Sequence, residues 1–303
     1  MKRKSLLIIV LITSVIASIT LSCKTDVKKE KTSEIDSEAL SDSLLKTDED
    51  LVFYSFPSSQ EMFSFIKRDA EMVYRTDLVN PPQNISRYIN TTSRTLALGV
   101  YLADLSYMTL FNKTSSAYDY IDIIQQLSND LRINLPFQDD ILKRLKNNLT
   151  NQDSLIKISD QYSSKIIDYL LKNNKEQVLA TVTAASYIEG LYIALNLVGE
   201  YSDNNQVIRR IVEQKYSFTN LIKYAEKHKA DKSTKIASDF LEEIFVIFEQ
   251  FEEFEKEKST IERTGNNHMV LKGGNEIIIS EKEFYDLKEK VTEVRTKIVE
   301  SNL

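Results

Sequence analysis

The scarcity of chain-breaking residues most strongly limits what this chain can fold into. Its 303 residues include only 6 glycines and 4 prolines, far fewer than an average globular composition supplies. Sandwiches and barrels need many tight turns, and those turns depend on Gly and Pro. The composition therefore predicts an all-α fold, a multi-helix bundle of antiparallel helices around two apolar central helices. A small β-hairpin and an amphipathic helix are expected near the C-terminus.

The charged and metal-binding residues exclude several classes of function. The chain has 39 Lys and Arg against 45 Asp and Glu, a net charge of -6, and it lacks the basic block typical of nucleic-acid binding. One cysteine excludes a disulfide framework and a Cys-based zinc site. Two histidines, His228 and His268, are too few for a His-based metal centre. We predict no nucleic-acid partner and no cofactor, while the sequence leaves open whether a metal binds.

Residues 1–22 have the form of a secretory signal peptide. The basic start Lys2–Lys4 precedes the apolar stretch Ser5–Thr20, and the only cysteine follows as Cys23. This arrangement resembles a bacterial lipoprotein signal, in which the cysteine is lipidated and becomes the mature N-terminus. The residues at positions 20 and 21 depart from the usual pattern, whereas the serine before the cysteine fits. The alternative is an uncleaved membrane anchor, which the Ser and Thr residues within the stretch disfavour.

Lipidation of Cys23 would attach the protein to a membrane. A diacylglycerol and an N-acyl chain together exceed the two hydrophobic signals that stable anchoring requires. Lys24, rather than Asp, follows the cysteine, and the resemblance to enteric lipoproteins then implies the outer membrane. We expect a protein of the cell envelope that faces the periplasm or the exterior.

The rest of the chain divides by composition into three parts. Residues 23–50 contain the cysteine and a charged, Ser-rich stretch without aromatic residues, which predicts a flexible tether. Residues 51–258 have helical periodicity and predict an α-helical domain, and residues 259–303 predict an appendage. The predicted helices begin at about Ser58 and then cover about Ile85 or Ser93 to Phe111, Ser115–Leu131, Asp139–Leu149, Gln152–Lys172, Glu176–Val198, Asn205–Lys229 and Thr234–Lys256.

The appendage combines a hairpin with a helix. Two β-prone runs, His268–Leu271 and Glu276–Ile279, flank a Gly-Gly pair and predict a hairpin that turns at Lys272–Asn275. Ser280 and Glu283 predict a capping box at the start of the final helix. The apolar residues of that helix recur every three or four positions, at Phe284, Leu287, Val291, Val294 and Ile298. We expect this seam to pack against its own chain, and the alternative is a coiled coil with an envelope protein partner.

The two central helices, Thr95–Phe111 and Thr181–Val198, are apolar around nearly their whole circumference. This pattern predicts helices that are buried on all sides. Each contains a glycine, Gly99 or Gly190, which costs about 1 kcal/mol relative to Ala inside a helix. We expect these glycines to permit close packing of two helix backbones, and the alternative is space for a ligand.

The same helices carry the residues of a candidate ligand-binding site. They contribute one carboxylate each, Asp104 and Glu189, and two tyrosines each, at Tyr101, Tyr107, Tyr187 and Tyr192. Since a buried lone carboxylate is costly, we expect each acid to be satisfied by a Tyr hydroxyl, a helix N–H or an arginine such as Arg94 or Arg87. The alternative is a site for a small ligand or a hard cation such as Ca²⁺ or Mg²⁺, with hydrolysis as a further option.

Short motifs resemble an uncharacterised family of helical bacterial envelope lipoproteins. They are Tyr54–Pro57, Asn80-Pro81, Ala97–Tyr107 and Tyr187–Tyr192. The resemblance implies a helical fold and an envelope location, and it assigns no catalytic residue. We therefore expect a non-catalytic binding or scaffolding module, anchored through its lipid and able to bind an envelope protein through residues 259–303. The alternative is a ligand- or cation-binding domain around Asp104 and Glu189.

Overall fold

The computed structural model describes residues 72–133, 151–264 and 268–303, together with Phe63 and a few positions between 140 and 148. For residues 114, 115, 152, 255–264 and 268–276 it describes only the backbone. The predicted signal peptide, Cys23 and the tether lie outside the described residues, as does most of the helices predicted at Ser58 and at Asp139–Leu149.

The prediction of an all-α bundle with a small hairpin is confirmed. Two 3₁₀ helices, Thr76–Leu78 and Pro82–Arg87, precede the first α-helix of the continuously described region. The α-helices that follow are α1 (Thr91–Leu110), α2 (Thr114–Asp130), α3 (Gln152–Lys172), α4 (Glu176–Val198), α5 (Gln206–Glu213), α6 (Lys215–Lys227) and α7 (Lys232–Phe248). The strands β1 (Glu252–Thr264) and β2 (His268–Ile278) then lead into α8 (Glu281–Val299).

One predicted helix is interrupted. The expected helix Asn205–Lys229 is divided at Gln214 into α5 and α6. The buried side of α5 includes Ile211, and a continuous helix would place Lys215 on that side one turn later. Lys215 instead forms an ion pair of 2.6 Å with Glu253. The helix is therefore divided next to a lysine that a continuous helix would place on its buried side.

Helices α1 and α4 form the centre of the bundle and share its most extensive helix–helix contact. Nearly every residue of α1 is buried, as the uninterrupted apolar pattern predicts. A Cβ atom added at Gly99 would lie 2.3 Å from the carbonyl oxygen of Val182 and 2.8 Å from the Cβ of Ala185. The two backbones therefore approach each other as closely as a missing side chain allows. Gly190 is also buried in α4.

Helix α4 has the length and apolar composition of a membrane span. Among the described residues, α4 is the one helix that is long and apolar enough to cross a membrane, with a mean hydropathy of 1.5 in its most apolar window. Because 78% of that window is buried inside the protein, the composition is explained by a core position.

The hairpin exists, but the predicted turn is wrong. Both β-prone runs belong to β2, and the partner strand β1 comes from residues that the sequence assigned partly to the end of a helix. Lys256 lies opposite Gly274 and Thr260 opposite Lys272, with a register irregularity between them. The extra residues of this irregularity belong to β1, and the Gly-Gly pair therefore lies inside β2 opposite the bulge rather than in a turn.

Helix α8 belongs to the bundle, in contrast to the expected appendage. Residues 54–303 form one compact unit, and α8 packs on α4, α7 and α1. The apolar seam residues from Phe284 to Ile298 are buried within the chain. They are therefore not exposed for a coiled coil with a partner. The predicted capping box of Ser280 and Glu283 is present.

We expect Gly99→Ala to destabilise the protein. The added methyl group would overlap the backbone of α4, and overpacking of this kind costs about 1–3 kcal/mol, more than alanine returns in helix propensity. Denaturant unfolding of the full-length chain in mild detergent measures the change. Gln126→Ala, at an exposed position of α2, is the control and should have little effect. Equal or higher stability of Gly99→Ala would show that the backbones do not pack as described.

Candidate functional site

The centre of the candidate site is a buried ion pair between α4 and α8. Arg295 donates from Nε to Glu189 Oε2 at 3.0 Å and from Nη2 to Oε1 at 3.0 Å. The Glu189 side chain is 0% exposed and that of Arg295 is 12% exposed. The guanidinium carbon also lies 4.5 Å from the centre of the Tyr192 ring, a cation–π contact. This two-point geometry is the strongest form of an Arg–carboxylate pair.

Arg295 remains charged in this position. Burial acts to lower its pKa, but the attraction and hydrogen bonds of Glu189 outweigh that effect, and the pKa is raised. A permanently charged guanidinium therefore compensates one buried carboxylate.

Asp104 is the second buried acid, and its side chain is 0% exposed. Its Oδ2 atom accepts a hydrogen bond of 3.0 Å from the backbone N–H of Asn80. Its Oδ1 atom receives no N–H or O–H donor in the described part of the chain. Burial raises the pKa of Asp104 well above its ordinary value, and the charge of Glu189 raises it further, whereas Arg295 and the Asn80 N–H act to lower it.

Asn80 connects the acids to the surrounding elements. Its side-chain Nδ2 donates to the Tyr88 hydroxyl at 2.9 Å, and its carbonyl accepts from the Tyr120 hydroxyl at 2.8 Å. Tyr88 in turn donates to the carbonyl of Val299, at the end of α8, at 3.1 Å. The segment before α1 is thus hydrogen-bonded to α1, α2 and α8. These contacts give the Asn80-Pro81 motif a structural role.

The four candidate tyrosines are not gathered into one site. Tyr192 stacks on Arg295, and the Tyr101 hydroxyl donates to the carbonyl of Pro81 at 3.0 Å. The Tyr107 hydroxyl accepts from the backbone N–H of Arg75 at 2.9 Å. Tyr187 is buried against Phe218, with ring centres 4.9 Å apart, and its hydroxyl has no hydrogen-bond partner among the residues that the structure describes. Only Tyr192 and Tyr101 therefore lie in the network around the acids.

The arginine that pairs with Glu189 is not one of those that the sequence analysis named. Arg94 donates to the carbonyl of Tyr88 at 3.0 Å and pairs with Asp130 at 3.4 Å, and Arg87 is exposed. The partner of Glu189 is Arg295, which the sequence analysis missed. Its position beside the buried seam residues of α8 was the available signal, because a cation there can reach a buried acid.

The surroundings of the acids do not form a metal centre or a groove. Within the part of the chain that the structure describes, no group of three or more His, Cys, Asp or Glu side chains could hold a metal ion. A shallow groove on α8 is lined by Tyr285, Lys288 and Glu293 among others. A second groove, of about 280 Å³, lies at the end of β2. Neither of these two grooves contains Asp104 or Glu189.

Comparisons of the chain with protein-family models, with curated proteins and with solved structures find no match. The resemblance to helical envelope lipoproteins therefore stays a prediction.

We expect Glu189→Gln to be strongly destabilising. The amide would remove the charged two-point acceptor of the Arg295 guanidinium, and loss of one partner of a buried pair costs about 3–5 kcal/mol. Chemical unfolding of the full-length chain in mild detergent gives the difference. Asp286→Asn is the matched control, because it removes the carboxylate of a solvent-exposed α8 ion pair with Lys282 and should change stability far less. Equal effects of the two variants would contradict the assignment of a structural pair.

Proposed function

We propose that this protein is a lipid-anchored component of the bacterial cell envelope that acts as a non-catalytic binding or scaffolding module. The signal-like residues 1–22 and the following Cys23 support the anchor, and Lys24 supports the outer membrane. The proposed partner is another envelope protein.

The engagement of both buried acids favours a binding module over the alternative. Glu189 is held at both carboxylate oxygens by Arg295, and Asp104 is buried against the N–H of Asn80. A ligand- or cation-binding function around these acids would have to displace contacts that stabilise the bundle. Both acids thus take part in contacts that hold the fold together, and we assign recognition to the surface.

The observation that carries the proposed partner surface is an exposed apolar pair at the base of the hairpin. Phe254 and Ile278 are 48% and 47% exposed. Glu252 lies opposite Ile278, and Phe254 lies opposite Glu276, so the two apolar side chains lie on the same face as diagonal neighbours. Apolar side chains exposed together in this way are typical of interaction sites.

A groove adjoins this pair. It is lined by residues 277–279 at the end of β2 and by Tyr201, Asp203 and Arg209 at the start of α5. The Tyr201 hydroxyl donates to the carbonyl of Ile279 at 2.7 Å, which fixes the base of the hairpin to the bundle. An apolar contact patch with a polar rim is the arrangement that protein interfaces use.

The anchor predicts lipid labelling that depends on Cys23. Cells that express the full-length chain should incorporate a palmitate analogue, and Cys23→Ala should abolish the label. If the parent chain is as unlabelled as Cys23→Ala, the lipid anchor is refuted.

The partner surface predicts a cross-link that depends on the exposed pair. A photo-reactive amino acid at position 278 should give a discrete adduct in intact cells, and Phe254→Asp should abolish it because a charge replaces the apolar contact. Ile89→Asp is the matched control, since Ile89 is 75% exposed outside the hairpin, and it should retain the adduct. An adduct that survives Phe254→Asp, or no adduct in the parent chain, would contradict this surface.

A further inference from the structure

The charges of the buried cluster do not balance if every group is ionised. Asp104 and Glu189 are both 0% exposed, and Arg295 is a cation that pairs with Glu189 and attracts the charge of Asp104. Two carboxylates beside one guanidinium would leave a net negative charge in the interior. Such a charge is far more costly than the loss of one proton.

The hydrogen bonds place Asp104 beside the ion pair. Arg295 donates from Nη2 to the carbonyl of Leu78 at 3.3 Å, while Asp104 accepts from the N–H of Asn80 at 3.0 Å. Both side chains are therefore bound to backbone atoms only two residues apart. Two carboxyl groups that are out of contact with water and compensated by one guanidinium are not both ionised at neutral pH.

The donors in the cluster identify the neutral member. Both oxygens of Glu189 accept from the guanidinium, which stabilises its charged form. Asp104 accepts one backbone N–H, and its Oδ1 has no donor in the described part of the chain. An orphaned buried oxygen is explained if it carries a hydrogen of its own, and the charge of Glu189 acts on this acid.

We propose that Asp104, Glu189 and Arg295 form a proton-binding site, in which a neutral Asp104 carboxyl group donates to the Glu189 carboxylate and the docking of α8 requires that one proton be held. The charges then sum to zero, because Asp104 is neutral and the negative charge of Glu189 balances the positive charge of Arg295. If α8 separates from α4, or if the chain unfolds, water reaches Asp104. Its proton passes to the solvent at neutral pH, because an exposed aspartate has a pKa of about 3.9.

The other groups that interact electrostatically with Asp104 stay uncharged at neutral pH. They are the tyrosines of the preceding segment, of α1 and of α2, at Tyr74, Tyr88, Tyr101, Tyr107 and Tyr120. Burial raises the pKa of each of them, for example to about 12 for Tyr88. The balance at the site is therefore set by Asp104, Glu189 and Arg295.

The sign of the pH dependence follows from proton linkage. The pKa of Asp104 is higher in the folded chain than in the unfolded chain, so the folded state binds the extra proton. Its contribution to stability is fully present below the unfolded pKa and falls as the pH rises towards the folded pKa. In that window a single proton changes the unfolding equilibrium constant about tenfold per pH unit.

Asp104→Asn is the variant that tests this site. The amide is neutral at every pH, and it can accept from the Asn80 N–H and donate to Glu189, so it reproduces the protonated acid. Denaturant unfolding of the full-length chain in mild detergent is measured from roughly pH 5 to pH 8, starting above the ordinary pKa of an unfolded aspartate. As the pH increases, the unfolding equilibrium constant of the parent chain should rise more steeply than that of Asp104→Asn. The difference should be up to about a factor of ten per pH unit. Groups common to both proteins cancel in this difference.

A spectroscopic measurement on the parent chain tests the proton directly. Infrared spectra at neutral pH should contain the carbonyl stretch of a buried protonated carboxyl group, and ¹³C labelling of the aspartate side chains should shift that band. This measurement stands even if Asp104→Asn fails to fold. Identical pH slopes in the two proteins, or the absence of a band that shifts with labelled aspartate, would overturn the proposal.

Discussion

The bundle depends on one buried ion pair, formed by Glu189 in the central helix α4 and Arg295 in the last helix α8. A pair of this kind adds little net stability compared with apolar residues, because both charges must be removed from water. Its effect is on specificity, since any arrangement that leaves either charge buried alone is strongly disfavoured. The pair therefore selects the position of α8 on α4, which the apolar seam alone would fix less tightly.

The segment that precedes α1 is organised by the same cluster. Arg295 holds the carbonyl of Leu78, and Asp104 holds the N–H of Asn80. Nearer the start of α8, Lys288 donates to the carbonyl of Gly199 at 3.1 Å. Gly199 lies at the C-terminal end of α4. A cation at that end also interacts favourably with the helix dipole. Helix α8 thus contacts α4 near its middle, at Glu189, and at its C-terminal end, although it comes last in the chain.

The elements that the sequence predicted well are those whose signals are local. The bounds of α3 and α4 agree with the structure, and so does the capping box at Ser280, because periodicity and caps depend on neighbouring residues. The turn of the hairpin was misplaced, since Gly-Gly serves a bulge and a turn equally well. The end of α7 at Phe248 was also missed, because the charged residues that follow fit a helix surface and an edge strand alike.

The candidate site was predicted only in part for a similar reason. Burial of Asp104 and Glu189 followed from the apolar helices that carry them, and internal satisfaction followed from the cost of unpaired charge. The identity of the partners did not follow, because Arg295 is 106 residues from Glu189 along the chain and no periodicity relates them. Sequence reasoning named Arg94 and Arg87 as possible partners, whereas the tertiary packing of α8 supplied the cation.

Native-state hydrogen exchange along α8 tests most directly whether this helix is an integral part of the bundle. The account predicts that the backbone amides around the buried seam from Phe284 to Ile298 exchange only through global unfolding. Their protection should then match that of α1 and α4 and should fall together with it when denaturant is added. Exchange of α8 through a separate opening of much lower free energy, while α1 and α4 stay protected, would contradict the claim that the Glu189–Arg295 pair fixes α8 as part of the core.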